Sequence, residues 1–430
     1  MCTEFPSREA IAAHQLQQLR KLLQAVVVSN PFYSSRLEQA GLTCELRSLD
    51  DFFRNMPFTR KEEIAADQQS HPPYGTNLTF PLGAYNRFTQ TSATNGVPLR
   101  WLDTPDTWQW MLDNWKQVLA AAEISPADSL YFAFSFGPFL GFWTAFEAAC
   151  QMGCRCLPGG GLSSLARLQA MRDNAVDVLC CTPTYAIHLG HVAAEAKIDL
   201  ASFAVRKIIV AGEPGGSVPT TREQIEKAWP RATVFDHHGM TEVGPVTYQC
   251  PGRPCTLMVI ESSYIAEIVD PGSDKAVSRG EVGELVLTTL GRVGSPLIRY
   301  RTGDLVRENL DIASREGRHE MALRGGILGR ADDMILVRGV NLYPAAVENL
   351  ILSLPDVAAY QVEVDTRGPM VELRLHVEPS AATSDQIELA IRVQSQFRAA
   401  FNLRVPVTVR TPGTLPRGEM KSRRWIRRNE

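Results

Sequence analysis

Apolar residues recur at helical spacing from residue 8 to 29 (Leu16, Leu19, Leu22, Leu23, Val26, Val27), and the pattern stops before Asn30-Pro31. This predicts an amphipathic helix that ends where proline forbids continuation. A second helix follows. Then come Leu49-Asp-Asp-Phe52 and Met56-Pro-Phe-Thr-Arg-Lys61, with Asp50 and Thr59 expected as N-caps. From Tyr85 the pattern is that of a strand running into the loop Thr89–Pro98. A helix is expected over 108–122, a strand over 129–136 and a helix up to Cys150. After the Gly159–Gly161 turn come a helix near 163–174 and a strand over 176–181 that ends at Thr182-Pro-Thr-Tyr185. A further helix leads to the strand Lys207–Ala211, which ends in Gly212-Glu-Pro-Gly-Gly216. A helix over 219–228 then precedes Thr233–Phe235, which runs into Asp236-His-His-Gly-Met-Thr-Glu242.

Strands alternating with helices in this way imply a parallel sheet. Ligands of such sheets bind beyond the carboxyl ends of the strands, where the polar segments 182–185, 212–216 and 236–242 would lie. From Leu257 to Arg307 the pattern is strand-rich instead (264–269, 283–288, 297–300). Past residue 332 a helix over 345–354, a hairpin of 357–364 with 370–377, a helix over 384–400 and a strand over 405–410 make an α+β set. The expected architecture is an α/β large N-terminal domain, residues 1–330, with parallel sheets flanked by helices plus a small β-rich subdomain. A small α+β C-terminal domain, residues 331–430, follows. A chain of 430 residues exceeds what one core usually supports, which agrees with two domains.

Charge and cysteine usage exclude more than they assign. A net charge of -3, with Lys and Arg spread along the chain, argues against a nucleic-acid partner held by a basic face. The basic cluster Lys421–Arg428 is, taken alone, a solvated tail. The uncharged run Ser129–Phe146 approaches the ~20 residues of a membrane span. Gly137-Pro138 interrupts it, so a buried strand, a loop and a core helix are expected and no membrane association. The nine cysteines include Cys154/Cys156 and Cys180-Cys181 but no CxxC spacing, which fits buried reduced thiols. With no apolar segment at the N-terminus, a reducing, cytoplasmic location is expected.

Five stretches hold candidate chemistry. The loop 89–98 packs four hydroxyls, an Asn and a Gly, and either offers donors to an anion such as phosphate or is an ordinary Ser/Thr turn. Thr241-Glu242 supplies an acid at a strand-end loop, or a helix cap with an acidic first turn. Tyr300-Arg-Thr-Gly-Asp304 is a ligand-binding carboxylate or a β-turn with an Asp cap. Gly329-Arg-Ala-Asp-Asp333 sits where the two domains meet. Leu415-Pro-Arg-Gly-Glu-Met-Lys421 precedes the basic tail. His237-His238 lack a third ligand nearby and make a poor zinc pair.

Taken together and in order, 91–98, 236–242, 299–305, 329–339 and 415–424 resemble the adenylate-forming superfamily of acyl-CoA ligases and adenylation domains, with phenylacetate-CoA ligases the nearest likeness. Pro31-Phe-Tyr33 and Met56–Lys61 are similar to that family too. The resemblance implies the adenylate-forming enzyme fold and a two-step reaction. A carboxylate attacks the α-phosphate of ATP to give acyl-AMP and pyrophosphate, and a thiol, usually of coenzyme A, then displaces AMP. It implies Glu242 as the Mg²⁺ ligand, since this ion takes one or two carboxylates plus phosphate oxygens. Thr241 would donate to the α-phosphate, with Ser92 and Thr94 in the phosphate loop. Asp304 would hold the ribose hydroxyls, with Arg330 adding a contact. Gly212, Glu213, Pro214, Asp236, His237, His238, Gly239 and Met240 would form the adenine pocket.

Lys421 would serve the first step by bridging the carboxylate and the α-phosphate. Asp332 matches the hinge about which the small domain turns, and Arg338, Gly339 and Asn341 would face the CoA channel. The acyl pocket would be lined by Phe134, Phe136, Gly137, Ala211, Gly212, His238 and Gly239. No Lys or Arg stands there to neutralise a second carboxylate, so an aromatic monocarboxylate is expected. The phosphate loop departs from the family form. Ala93 stands for a glycine and Val97 for a lysine, with Asn95 also off-pattern, which bears on ATP affinity more than on reaction class. The motifs leave open whether the acceptor is CoA, a carrier-protein thiol or an amine, whether a non-catalytic nucleotide-binding homologue has kept them, and whether the protein forms a homodimer.

Overall fold

The computed structural model describes residues 5–91, 98–312, 318–331, 335–338, 340–342, 344–367, 371–380, 385–415 and 424–428. The expected parallel sheet is present. Its five strands lie in the order Arg155–Pro158, Ser129–Phe132, Val178–Cys181, Lys207–Val210, Thr233–Asp236, and all neighbours are parallel. Successive side chains alternate between faces. Leu130, Phe132, Cys180 and Ile209 therefore pack on the helix Pro105–Ala121, while Tyr131, Leu179, Cys181, Ile208 and Val210 pack on Ser164–Asp173, Pro183–Glu195 and Pro219–Ala228. Both faces are covered, which is why these strands are continuously apolar.

The first of those cores continues into the strand-rich region. There Tyr264–Val269, Val282–Thr289, Tyr300–Arg307 and Gly329–Arg330 form an antiparallel sheet, and Thr247–Gln249, Thr256–Val259 and Ala322–Arg324 form a second. The N-terminal helices Arg8–Ser29 and Pro31–Gln39 pack on Ile265, Leu290 and Ile298. From Ile335 onward a separate core joins the helices Pro344–Leu352 and Gln386–Phe401 to one face of a four-stranded mixed sheet, in the order Val407–Val409, Glu372–Pro379, Val357–Asp365, Trp425–Arg428. Among the described residues, no helix is long and apolar enough to cross a membrane. The eight described cysteines are free thiols, with Cys180 and Cys181 fully buried.

Several expectations are corrected. Ser48, not Asp50, caps Leu49–Asn55 by accepting the Asp51 N–H at 3.1 Å. Thr59 caps nothing, because it is buried and its hydroxyl donates to the Ile298 carbonyl at 2.7 Å. The N-cap of the helix Lys61–Ser70 is one residue later, Arg60. Segment 182–185 is a helix start rather than a loop. Thr182 accepts the Tyr185 N–H, and Pro183 occupies the first helical position. The strand expected at 297–300 is instead Tyr300–Arg307, so Tyr-Arg-Thr-Gly-Asp is strand, not turn. Gly303 absorbs a bulge there with φ +76°. The basic tail is not simply solvated, since Trp425–Arg428 pairs in parallel with Val357–Asp365.

Candidate active site

The loops beyond the carboxyl ends of the strands meet the antiparallel sheet, and His238, Asp304 and Arg330 of the predicted residues come together at that junction. Asp236 ends its strand and is buried. It accepts from the Ser217 hydroxyl at 2.5 Å and from the His237 N–H at 3.0 Å, which fastens the Ala211–Ser217 turn to the next loop. Burial lifts its carboxyl to about 6, against the pull of Ser217 and Arg222. Glu213 turns away from this junction. Its carboxylate accepts from the Thr184 N–H at 2.8 Å and hydroxyl at 2.6 Å, at the start of the helix Pro183–Glu195.

The two histidines part company. The His237 ring is buried 4.2 Å from the Trp115 ring, with Nδ1 2.6 Å from the Thr247 carbonyl. Burial lowers its pKa to about 3, so it is a neutral part of the core. The His238 ring points the other way, with Nε2 3.2 Å from Asp304 Oδ2. That contact is close but off-line for a hydrogen bond, and both atoms are buried without a hydrogen-bond partner. Asp304 Oδ1 accepts from Arg330 Nη1 at 3.0 Å, and the same nitrogen donates to the Thr302 carbonyl at 2.8 Å. Burial works to raise the Asp304 carboxyl, but His238 and Arg330 outweigh it and hold the group below the usual carboxylate range. The charged carboxylate is only 4 % exposed, with Arg330 against Oδ1 and His238 close to Oδ2. Gly303 is needed here, since a Cβ on it would stand 2.6 Å from Arg330 Nη2.

The short hairpin Gly239–Met240 with Gly244–Pro245 presents Thr241 and Glu242 at its turn. Glu242 is buried, and its Oε1 accepts from Lys61 Nζ at 3.1 Å. The backbone of this turn is held from below by Arg292. That guanidinium donates to the carbonyls of Thr241 (2.8 Å) and Glu242 (2.7 Å) and forks onto Asp103 (2.8 and 2.5 Å), with both charged side chains fully buried. Lys61, Arg292 and Asp103 did not emerge as site residues from the sequence. Lys61 had a signal, since it ends the Met56–Lys61 stretch. Arg292 and Asp103 had none.

Two of the residues expected to line the acyl pocket, Phe134 and Phe136, lie in an aromatic cluster after the strand Ser129–Phe132. Phe134 and Phe136 stand edge to face at 5.3 Å. Phe136 packs on Trp143 (4.8 Å) and Phe146 (5.4 Å), and Trp143 Nε1 donates to the Gly137 carbonyl at 3.0 Å. Phe136 is held at φ +52°, a strained conformation for a bulky residue. Ala211 packs against the same core, and Gly212 takes φ +91° beside it. Pro214 sits in the turn fastened by Asp236. Arg338, at φ +51°, lies 3.7 Å from Glu372, and Asn341 is in the strand Val340–Leu342. Ser92, Thr94, Asp332, Gly339 and Lys421 lie outside the described residues.

No group of three or more His, Cys, Asp or Glu side chains is placed to hold a metal ion among the described residues. A lone buried carboxylate such as Glu242 fits an ion that takes most of its ligands from substrate phosphate and water, which is how Mg²⁺ is usually bound.

Residues 110–291 match the model of the AMP-binding enzyme family, and residues 339–428 match that of the AMP-binding enzyme C-terminal domain. The chain belongs to the adenylate-forming superfamily of AMP-binding enzymes. Within that superfamily it is 29 % identical to the phenylacetate-coenzyme A ligase of Thermus thermophilus, over 96 % of this chain and 95 % of that one. The Escherichia coli enzyme of the same name is 28 % identical over 97 % and 95 %. Among solved structures, a 2-hydroxyisobutyryl-CoA ligase in its postadenylation state, with an acyl-AMP bound, is 28 % identical. It superposes at a TM-score of 0.89 over 98 % of this chain and 89 % of that one. The same ligase in its thioesterification state superposes at 0.72.

Proposed function

We propose that this adenylate-forming enzyme is an ATP-dependent aryl-CoA ligase. It converts an aromatic monocarboxylate and ATP to acyl-AMP and pyrophosphate, then passes the acyl group to the thiol of coenzyme A with release of AMP. The observation that carries the nucleotide reading is the buried, ionised Asp304, set with His238 and Arg330 beside the strand-end loop. A carboxylate accepts only, so it is matched to a pair of ribose hydroxyls. Arg330 orients it, and the His238 ring beside it would flank the base.

Thr241 and Glu242, fixed by Arg292, define the place for the phosphates. Glu242 would hold Mg²⁺ there, and the ion would neutralise phosphate charge. Lys61 already lies against Glu242 and brings a cation to this side of the site. It stands in for the lysine that the phosphate loop lacks at Val97. Lys421 is assigned the developing charge of the first step.

Phe134, Phe136 and the Ala211-Gly212 turn make an uncharged wall suited to an aryl ring, and the aryl-CoA ligases among the relatives support the same class. The similarity to the postadenylation form of a relative, above that to its thioesterification form, supports a small domain that turns about Asp332 between the half-reactions. Residues 331–430 would form that domain, with Arg338, Gly339 and Asn341 meeting CoA in the second orientation.

ATP–pyrophosphate exchange across benzoates and arylacetates tests the first half. Mass spectrometry of the product in the presence of CoA tests the second. Acyl-AMP that reacts with a carrier protein or an amine but never with CoA would replace the ligase reading with that of a stand-alone adenylation enzyme.

A further inference from the structure

Asp304 does not stand in a regular ladder. Glu284 pairs with Leu305 and Val286 with Arg301, so Leu285 alone opposes Thr302, Gly303 and Asp304. A bulge of this kind takes its extra residues out of the strand-to-strand hydrogen bonds. Their N–H groups then need other acceptors, and two side chains supply them. Thr302 Oγ1 accepts from the Asp304 N–H at 3.1 Å and donates to the Leu285 carbonyl at 2.7 Å. Glu284 Oε1 accepts from the Gly303 N–H at 3.0 Å.

The Glu284 carboxylate is itself fixed. It is buried, and its Oε2 accepts from Arg301 Nε at 2.9 Å and from Arg301 Nη2. Arg301 is buried too and is held from beyond the sheet. Its Nη1 bonds Asp274, which also accepts from Arg60 Nη2 at 2.8 Å. Carboxylates are almost never so deeply buried unless they are paired. Here the pairing occupies one oxygen and leaves the other for the backbone. The N–H it meets belongs to the residue just before Asp304, at φ +76°. Glu284 therefore fixes the bend that carries the Asp304 carboxylate to Arg330 and His238.

We propose that Glu284 is a positioning residue for nucleotide binding. By accepting the Gly303 N–H it holds the bulge in the shape that turns Asp304 toward the ribose. This rests on the reading of Asp304 as the partner of the ribose hydroxyls. Hydrogen bonds to a charged group are worth enough for the wild type to prefer ATP over 2′,3′-dideoxy-ATP by about 10- to 10²-fold. A shift of ~1 Å carries a carboxylate out of hydrogen-bond range of a hydroxyl. Glu284→Ala should therefore bring that preference close to unity, although residue 284 touches no nucleotide.

Isothermal titration calorimetry of the full chain with each nucleotide and Mg²⁺ measures the preference, with Asp304→Ala beside Glu284→Ala. A general loss of structure would weaken both nucleotides alike and leave their ratio in place. If Glu284→Ala keeps the wild-type ratio while Asp304→Ala loses it, the positioning role is overturned and the ribose reading stands. If the wild type shows no preference, or Asp304→Ala keeps it, the ribose reading fails, and the positioning role fails with it. Should Glu284→Ala not fold, Glu284→Met with Arg301→Met strands no charge between the two positions. It still leaves the Gly303 N–H without its acceptor and is read against the same outcomes.

Discussion

The pair Arg292–Asp103 is the most exacting place to perturb this molecule. Both side chains are fully buried, and Arg292 alone ties the Thr241 and Glu242 carbonyls to the strand Arg100–Asp103. In Arg292→Met the Asp103 charge keeps only the Thr107 hydroxyl at 3.1 Å, and two carbonyls lose their donor. Breaking one partner of a buried pair costs about 3–5 kcal/mol. For domains of 150–250 residues each kcal/mol moves Tm by roughly 2–4 °C, so a fall of about 6–20 °C is expected, at the lower end because the cooperative unit here is larger. Replacing both partners with apolar residues, Asp103→Leu with Arg292→Met, removes the stranded charge and should recover part of the loss. Activity should not recover with it, because the turn bearing Glu242 still lacks its donor. Differential scanning calorimetry and pyrophosphate exchange on the same three variants separate the two effects. The reasoning is refuted if Arg292→Met melts with the wild type, or if the double variant regains both stability and exchange.

Other perturbations test the remaining parts of the site. Asp304→Asn keeps the shape but loses the charge, and charged hydrogen bonds are worth about 1.5–3 kcal/mol. kcat/KM for ATP should fall roughly 10- to 10²-fold, while KM for the acid stays in place. Gly303→Ala combines a positive φ with a Cβ 2.6 Å from Arg330 Nη2. It should raise KM for ATP by displacing Arg330 from Asp304, and an unchanged KM would contradict that contact.

Acid stability should carry two opposed contributions. Asp236 titrates near 6 in the fold, above its ordinary 3.8, so its contribution is present at low pH and lost as pH rises through 6. His237 titrates near 3 in place of 6.5, so its contribution is present above 6.5 and lost as pH falls toward 3. Between about 4 and 6 the two cancel in part. Asp236→Asn should make Tm fall more steeply on acidification, and His237→Gln should make it fall less. The opposite ordering would show that burial does not set these groups as described.

Four of the five strands of the parallel sheet were legible as short apolar runs, because the helices between them carry plain caps and periodicity; the edge strand Arg155–Pro158 was not, since it is only partly buried and begins on an exposed arginine. The site was legible where it is a contiguous motif, as at 236–242 and 300–304. It was not legible where tertiary structure builds it. Arg292 meets Glu242 and Asp103 across 50 and 189 residues of sequence, and no local pattern marks a guanidinium that will be wholly buried. His237 and His238 look equivalent in sequence. Only the fold shows one ring against Trp115 and the other beside Asp304. The final strand hid in a run of arginines, whose charge pattern reads as solvated until Glu363 supplies a partner. For Gly303-Asp304 the sequence left a β-turn open as the alternative to a ligand-binding carboxylate. Here the φ freedom of the glycine bends a strand instead.

The central claim concerns which bond is made to which carboxylate. A single incubation of the wild-type protein with ATP, Mg²⁺, CoA and a panel of aryl and short branched acids, read by mass spectrometry, tests it most directly. The account predicts aryl-CoA and AMP in equal amounts, with aryl acids preferred to 2-hydroxy-branched ones. Formation of ADP, absence of any acyl-CoA, or exclusive use of a short branched hydroxy acid would contradict it.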